Sequence, residues 1–347
     1  MKTGILNPER RIDAFAALGE VMGNGAAGAG TGQAGRFAEL IDTLYLSNPW
    51  FTPDNVRLAV SAIARALSPE KLHRWLSAYP EMHDAHEPVT VGVVMAGNIP
   101  LVGFHDLLCV LVTGNRLQAR LSTKDELLIR TVVSTLTALE PGFRPFIELT
   151  AERLKGFDMV IATGSNNTSR YFEYYFRNVP SIIRRNRNSL AILDGTETEN
   201  ELERLGDDIF SYFGLGCRNI SKIYVPAGYD ITGLFSHWLR YSSLTSHHKY
   251  AVNYDHNKAV AIVNREPFAD SGFVLLKKSA SLIAPMAVLN YEYYDDPLSV
   301  VNEVRSLGDA VQCMAGHGHL SFGTTQEPEL WDYADNIDTI RFLQKKY

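Results

Sequence analysis

The sequence predicts an α/β protein of two lobes, each built on a largely parallel sheet flanked by helices. Short β-rich runs alternate with helical periodicity from Val89 onward, which is the pattern of right-handed strand–helix–strand units. A second series of the same kind starts near Ala191. Before both, residues 8 to 85 carry helical signals only. The expected organisation is therefore a helical segment over 1–84, a first α/β lobe over 85–195, a second and smaller one over 196–320, and a tail over 321–347.

In the helical segment, Pro53 follows Thr52 and Pro69 follows Ser68, which are pairs of capping hydroxyl and first-turn proline. Phe37, Leu40, Ile41 and Leu44 repeat at helical spacing. A formal Gly-x-Gly-x-x-Gly at Gly23, Gly25 and Gly28 is read as an interhelical loop, because Ile12 to Met22 ahead of it has helical character and a phosphate-binding fingerprint needs a strand there. In the first lobe, strands are expected at Val89–Met95, Arg116–Leu121, Phe146–Leu149 and Met159–Thr163, with helices over Phe104–Thr113 and Thr123–Leu139. In the second, strands are expected up to Leu193, at Lys222–Val225, Ala259–Val263, Phe273–Lys277 and Ile283–Leu289, with helices near Glu199–Phe213 and Ile231–Ala251. The cut near residue 195 follows from the polar stretch that Asp194 and Gly195 open.

Composition excludes several classes of function. Lys and Arg number 33 against 39 Asp and Glu, and no long basic run would displace counterions from nucleic acid. The first residues, Met1 to Arg11, lack the apolar stretch of a signal peptide, and no segment approaches the roughly 20 apolar residues of a membrane span. Nucleic acid and membrane insertion are thus not expected, and a cytoplasmic location is. Of three cysteines, Cys109 lies in an apolar run and Cys313 in a mixed one, whereas Cys217 stands between glycine and arginine. His247–His248 and His317–His319 lack partner ligands in the sequence, so no metal is expected.

Three segments carry candidate chemistry. In Tyr212 to Ile220, glycines at 214 and 216 let the backbone turn beside Cys217, while Arg218 and a helix terminus favour a thiolate; a lone cysteine in such a turn also fits a structural role. In Val93 to Leu101, Asn98 follows a strand where an α/β sheet holds ligands and offers an amide to an oxyanion; a plain Asn-Ile-Pro turn fits equally. In Ala162 to Arg170, a Gly164-Ser165 loop opens a helix whose free N–H groups suit a pyrophosphate, and Ser165 also suits an ordinary N-cap.

Together, in this order, the segments resemble the aldehyde dehydrogenase superfamily and, within it, the acyl-CoA reductase family of bacterial bioluminescence. The superfamily's x-x-Asn-x-Pro is similar to Ala96–Pro100, its Gly-Asn-x-x-x-x-Lys-x-Ser to Gly114–Ser122, its Thr-Gly-Ser-x-x-x-Gly-Arg to Thr163–Arg170, and its Gly-Gln-x-Cys to Gly214–Cys217. The tail Gln326 to Thr339 also resembles acyl-CoA reductases, so the likeness runs from about Val89 to the C-terminus. The resemblance implies an aldehyde dehydrogenase-like fold, with a Rossmann-type cofactor lobe, a catalytic lobe, and an active site in the cleft where Asn98 and Cys217 meet. It implies that Cys217 attacks an acyl thioester, that Asn98 and the Cys217 N–H hold the oxyanion, and that a reduced nicotinamide dinucleotide releases an aldehyde. Thr163, Gly164 and Ser165 would lie against its pyrophosphate, and Arg120 and Ser122 at its adenosine ribose. His319, in a Gly-His element, is a further catalytic candidate as a proton donor or acceptor, and Glu292 a candidate for the nicotinamide ribose; a turn and an exposed strand carboxylate are the respective alternatives.

Departures from the pattern refine the expectation. Hydrolytic members carry a glutamate base where Arg184-Arg185-Asn186-Arg187-Asn188-Ser189 stands here, and without that carboxylate the acyl-cysteine survives for exchange with CoA or for reduction. These arginines read as a solvated basic turn or as a site for CoA phosphates. Thr123, followed by Lys124, replaces a glutamate that accepts ribose hydroxyls, which favours NADPH over NADH. Ser169 stands where a glycine is usual in the pyrophosphate loop. The expected activity is reduction of an acyl-CoA or other acyl thioester, in a chain expected to form a homodimer. Its rivals are an acyltransferase that uses the same acyl-cysteine and a non-catalytic acyl-CoA binding protein.

Overall fold

The computed structural model describes residues 6–83 and 87–345. They form two compact units, one comprising residues up to Asn186 together with the chain from Pro328 onward, the other Arg187–Glu327.

Capping sets the helices at the start of the first unit. Asn7 accepts the Glu9 N–H ahead of α1 (Pro8–Ala26), and α2 (Gln33–Thr43) follows. Thr52 then caps α3 (Pro53–Ala66) and Ser68 caps α4 (Pro69–Leu76), each with proline in the first turn. Phe15, Leu18 and Met22 of α1 are fully buried, with Phe37, Val56 and Val60 in the same core. The glycine-rich stretch belongs to this packing. Gly23 and Gly25, expected in an interhelical loop, lie instead in the last turns of α1, and a Cβ at Gly25 would lie 2.5 Å from the Cβ of Phe37, so glycine there lets α1 approach α2.

The sheet of this unit is wholly parallel. Its elements are β1 (Thr90–Val94), α5 (Phe104–Val112), β2 (Arg116–Arg120), α6 (Glu126–Leu139), β3 (Ile147–Thr150), β4 (Met159–Thr163), α7 (Asn166–Tyr175) and β5 (Ser181–Arg184). The strand order is β3-β2-β1-β4-β5. The chain leaves β1 to one side through α5 and β2 and returns to its other side as β4. Loops after β1 and β4 therefore diverge at a switch point, where open α/β sheets bind ligands.

In the second unit, β6 (Asn188–Ile192), α8 (Glu199–Phe210), β7 (Ile220–Pro226), α9 (Leu234–His237), α10 (His248–Val263), β8 (Ala269–Asp270), β9 (Leu275–Lys278), β10 (Val288–Tyr294), α11 (Pro297–Leu307) and β11 (Val311–Gly316) follow in turn. They make a six-stranded sheet in the order β11-β6-β7-β10-β9-β8, parallel except for the β8–β9 pair. Thr198 and Glu201 form a reciprocal capping box at the start of α8. One core of this unit gathers Leu205, Ile223, Leu276 and Leu289; another gathers Leu190, Tyr224, Val300 and Val304.

The chain from Pro328 onward returns to the first unit and ends in α12 (Thr339–Gln344). Its anchor is polar. Trp75 donates to the Tyr333 hydroxyl at 2.8 Å, Tyr79 donates to Asp338 at 2.9 Å, and His105 meets the Leu330 carbonyl at 2.9 Å. Arg184 at the end of β5 completes it. Its guanidinium pairs with Asp106 of α5 at 2.6 Å and also donates to the Ala334 carbonyl and the Thr339 hydroxyl. Both side chains of the pair are buried.

Several expectations need revision. The units divide between Asn186 and Arg187, ahead of the polar stretch at 194, because β6 pairs with β7 and β11. Ala259–Val263 is the last turn of α10; its β-branched residues imitate a strand, but Tyr250, Tyr254 and Ala261 set a helical buried face. Residues 231–246 form short helical turns in place of one long helix. The strand expected at Ile283–Leu289 begins later and runs to Tyr294, while β5 and β11 were not anticipated. The arginine segment is solvated only in part: Arg184 is buried against Asp106, Arg185 is exposed and pairs with Glu173, and Arg187 lies 3.8 Å from Asp309.

Removing one partner of a buried ion pair strands the other charge, at a cost of about 3–5 kcal/mol. Asp106→Ala should thus lower the unfolding free energy by about 3 kcal/mol or more in denaturant titration. Glu126→Ala, which breaks the exposed Glu126–Arg130 pair, should change it by less than about 1 kcal/mol.

Candidate functional site

Three loops of the first unit meet at the C-terminal edge of its sheet. In register, Arg120 at the end of β2 and Ala162 in β4 flank Val94 at the end of β1. Asn98 follows β1, Ser122 and Thr123 follow β2, and Thr163, Gly164 and Ser165 follow from the end of β4. Arg120, Thr123, Ser165 and Asn98 are exposed, and Ser122, Thr163 and Gly164 half-buried. The sequence-derived set for this unit is thereby gathered on one edge.

Local packing explains how the loops lie. A Cβ at Gly97 would come within 2.4 Å of the Ser122 hydroxyl, so the loop bearing Asn98 rests directly on the segment after β2. The Ser165 hydroxyl accepts the Thr168 N–H at 3.3 Å, which makes it the N-cap of α7. That cap leaves other first-turn N–H groups of a ten-residue helix at the switch point. The donor set suits an anionic diphosphate: free helix N–H groups, a serine hydroxyl, and an arginine two strands away. Ser169, the departure from the glycine pattern, is buried and donates back to the Asn166 carbonyl at 2.9 Å, so it occupies no space at the loop surface.

In the second unit, Cys217 is half-buried in the turn Gly216–Asn219 that leads into β7. Asn219 builds that turn. Its Oδ1 accepts the Gly216 N–H at 2.8 Å, while its Nδ2 lies within hydrogen-bonding reach of the carbonyls of Asp208, Ile209 and Ser211 at 2.9–3.4 Å. These carbonyls belong to the C-terminal end of α8 and the residue after it. The helix end nearest the cysteine is thus a C-terminus, whose partial negative charge opposes a thiolate, and Asn219 covers it with an amide. On the approach, Tyr212, Phe213 and Gly214 take left-handed φ values of 53°, 58° and 74° in succession. Two bulky residues there are costly, of order 1–3 kcal/mol each, and burial of both rings holds them. From the other side, the fully buried Ser189 donates to the Cys217 carbonyl at 2.9 Å, and its Oγ also accepts the Cys313 N–H at 3.2 Å. Arg218 donates to the Thr325 carbonyl at 3.4 Å.

His319 and Glu292 do not join Cys217. Strands β7, β6 and β11 run parallel, with Ile220 opposite Ser189 and Tyr224 opposite Ile192, which faces Gly316. Cys217 precedes the start of β7 and His319 follows the end of β11, so they stand at opposite edges of the sheet. His319 sits in a tight turn, its N–H bonded to the Gly316 carbonyl. Glu292 lies inside β10 opposite Tyr224, and its carboxylate is 2.6 Å from the ammonium of the buried Lys222. It is neither the exposed strand carboxylate nor a free ribose acceptor.

His317 has ionic partners on both ring nitrogens. Its Nδ1 lies 2.8 Å from Asp194 and its Nε2 3.2 Å from Glu201, an arrangement that asks for a proton on both ring nitrogens. The Asp194 bond and then the Glu201 bond raise its pKa above the ordinary value. Asp194, held first by the Thr196 hydroxyl and also by His317, is lowered to about 2. Asn219, Ser189 and His317 were not foreseen as positioning groups; only the adjacency of Asn219 to Cys217 hinted at the first.

No family model and no curated protein sequence matches the chain. Solved structures do. The chain is 12% identical to aldehyde dehydrogenase 21 of Physcomitrella patens, solved in complex with the reaction product succinate, with a TM-score of 0.61 over 87% of this chain and 73% of that one. It is 14% identical to the indole-3-acetaldehyde dehydrogenase of P. syringae, solved with NAD+ and IAA, with a TM-score of 0.60 over 86% and 69%. An aldehyde dehydrogenase of Mycobacterium tuberculosis complexed with NAD+ gives 13% and 0.59 over 86% and 70%. The fold is that of the aldehyde dehydrogenases.

Because the folded state raises the His317 pKa, its contribution is complete below the unfolded value near 6.5 and fades as pH climbs through the folded value. His317→Gln should therefore melt slightly below wild type at about pH 6, as for an exposed ion pair, and the gap should narrow toward about pH 9 in scanning calorimetry.

Proposed function

We propose that the chain is an NADPH-dependent acyl-CoA reductase that converts a fatty acyl thioester to an aldehyde through an acyl-cysteine on Cys217. The observation that carries this reading is the turn bearing Cys217, held by Asn219 and Ser189 within an aldehyde dehydrogenase fold. A second supports its direction. By the sequence resemblance the hydrolytic carboxylate base falls in the segment that begins at Arg184, and Arg184 is committed to Asp106 and offers water no general base.

In this reading, the Cys217 thiolate attacks the thioester carbonyl carbon, and the carbonyl electron pair moves to oxygen. The Asn98 amide and the Cys217 backbone N–H donate to that oxyanion. Collapse breaks the carbon–sulfur bond to CoA, whose thiolate leaves, and the acyl group stays on Cys217. When bound, the reduced dinucleotide supplies a hydride to the acyl carbon. The same donors hold the oxygen as the aldehyde departs and Cys217 regains its thiolate. Thr163, Gly164 and Ser165 with the first turn of α7 would hold the diphosphate, and Arg120 and Ser122 the adenosine ribose. Thr123 and Lys124 are exposed beside them and place no carboxylate against a 2'-phosphate, which favours NADPH. Neither His319, at the far edge of its sheet, nor Glu292, paired with Lys222, is given a step.

NADPH oxidation measured against acyl-CoAs of increasing chain length tests the reading. Wild type should consume NADPH with thioester, and Cys217→Ala should abolish it. Asn98→Ala should lower kcat by about 10²–10³-fold, the usual effect of losing one oxyanion donor. Equal rates for wild type and Cys217→Ala would overturn the mechanism, and thioester turnover without NADPH consumption would instead indicate an acyltransferase.

A further inference from the structure

Asp125 stands at the N-cap position of α6 but does not cap it: its side chain makes no bond to the first turn of that helix. The carboxyl turns the other way. Its Oδ2 accepts the N–H of Leu101 at 2.8 Å, and its Oδ1 is buried with no hydrogen-bond partner among the described residues. The residue is only 3% exposed. Leu101 ends the segment Asn98-Ile99-Pro100 and carries a left-handed φ of 58°, a conformation that a branched side chain adopts only when its surroundings impose it. Gly97, on the other side of Asn98, rests on Ser122 and approaches the Asp125 Cβ. The loop that presents Asn98 is thus bound at both ends to the segment 122–125.

We propose that Asp125 is the positioning residue for Asn98, holding the left-handed turn at Leu101 through its buried carboxyl so that the amide stands at the end of β1. This role rests on the reading of Asn98 as an oxyanion donor. The cost of burying a carboxyl with one oxygen unsatisfied, and of giving up a helix cap, is what a purely structural residue at this position would avoid. Burial also pushes the Asp125 pKa well up, which disfavours the charged form, and an amide is the nearest uncharged mimic.

The test compares Asp125→Asn, which keeps an acceptor for Leu101, with Asp125→Ala, which removes it, in the full chain. Amide hydrogen exchange at Leu101 reports the contact without any assay of activity. Asp125→Asn should retain slow exchange and a kcat within about threefold of wild type; Asp125→Ala should speed exchange and lower kcat by about tenfold or more, with the KM for NADPH nearly unchanged. Unchanged exchange in Asp125→Ala would overturn the proposal. So would equal loss of kcat in both variants, or a rise in the KM for NADPH that accounts for the loss. If Asp125→Ala does not fold, Asp125→Ser, whose hydroxyl falls short of Leu101, is read the same way. If wild type reduces no thioester, the reading of Asn98 fails, while the exchange comparison still decides whether Asp125 holds the turn.

Discussion

The amide of Asn219 is committed at both ends to the backbone that carries Cys217. One end holds the Gly216 N–H and the other covers carbonyls at the end of α8. A cysteine beside a helix C-terminus would ordinarily meet partial negative charge, which discourages a thiolate. By donating to those carbonyls, Asn219 answers that charge and fixes the turn in one stroke. Ser189 from β6 ties the Cys217 carbonyl, so the turn is tied from two directions. The left-handed Tyr212 and Phe213 give the reason for so many ties: without them the strained approach would relax.

The first unit solves a comparable problem with topology. A parallel sheet returns every strand through a crossover, so the loops after β1, β2 and β4 collect on one edge without further design. Close packing then refines their places. Gly97 lets the Asn98 loop settle on Ser122, and Ser165 sets where α7 begins. The returning tail reinforces the same body, because Arg184 joins β5, α5 and the chain near α12 through one guanidinium.

Much of this was legible in the sequence and some was not. The strand–helix alternation from Val89 and the motifs around Asn98, Thr163 and Cys217 located the fold and the loops, since they depend on local periodicity and on glycine and asparagine at turns. Ala259–Val263 misled because a β-branched run reads the same in a strand as in a helix end. His319 misled for another reason. A Gly-His pair says nothing about which edge of the sheet it occupies, and only the parallel register of β11, β6 and β7 places it far from Cys217. Glu292 was hidden likewise, because its partner Lys222 lies on a neighbouring strand seventy positions away in sequence. Long-range ties such as Arg184 to Asp106 and Ser189 to Cys217 leave no local trace at all.

In the proposed function Cys217 is a nucleophile toward thioesters. Its most direct measurement is mass spectrometry of the protein after brief exposure to an acyl-CoA without dinucleotide, followed by peptide mapping. One acyl group is expected, on the peptide containing Cys217, lost on treatment with hydroxylamine. An unmodified Cys217 peptide, or an adduct confined to Cys109 or Cys313, would contradict it.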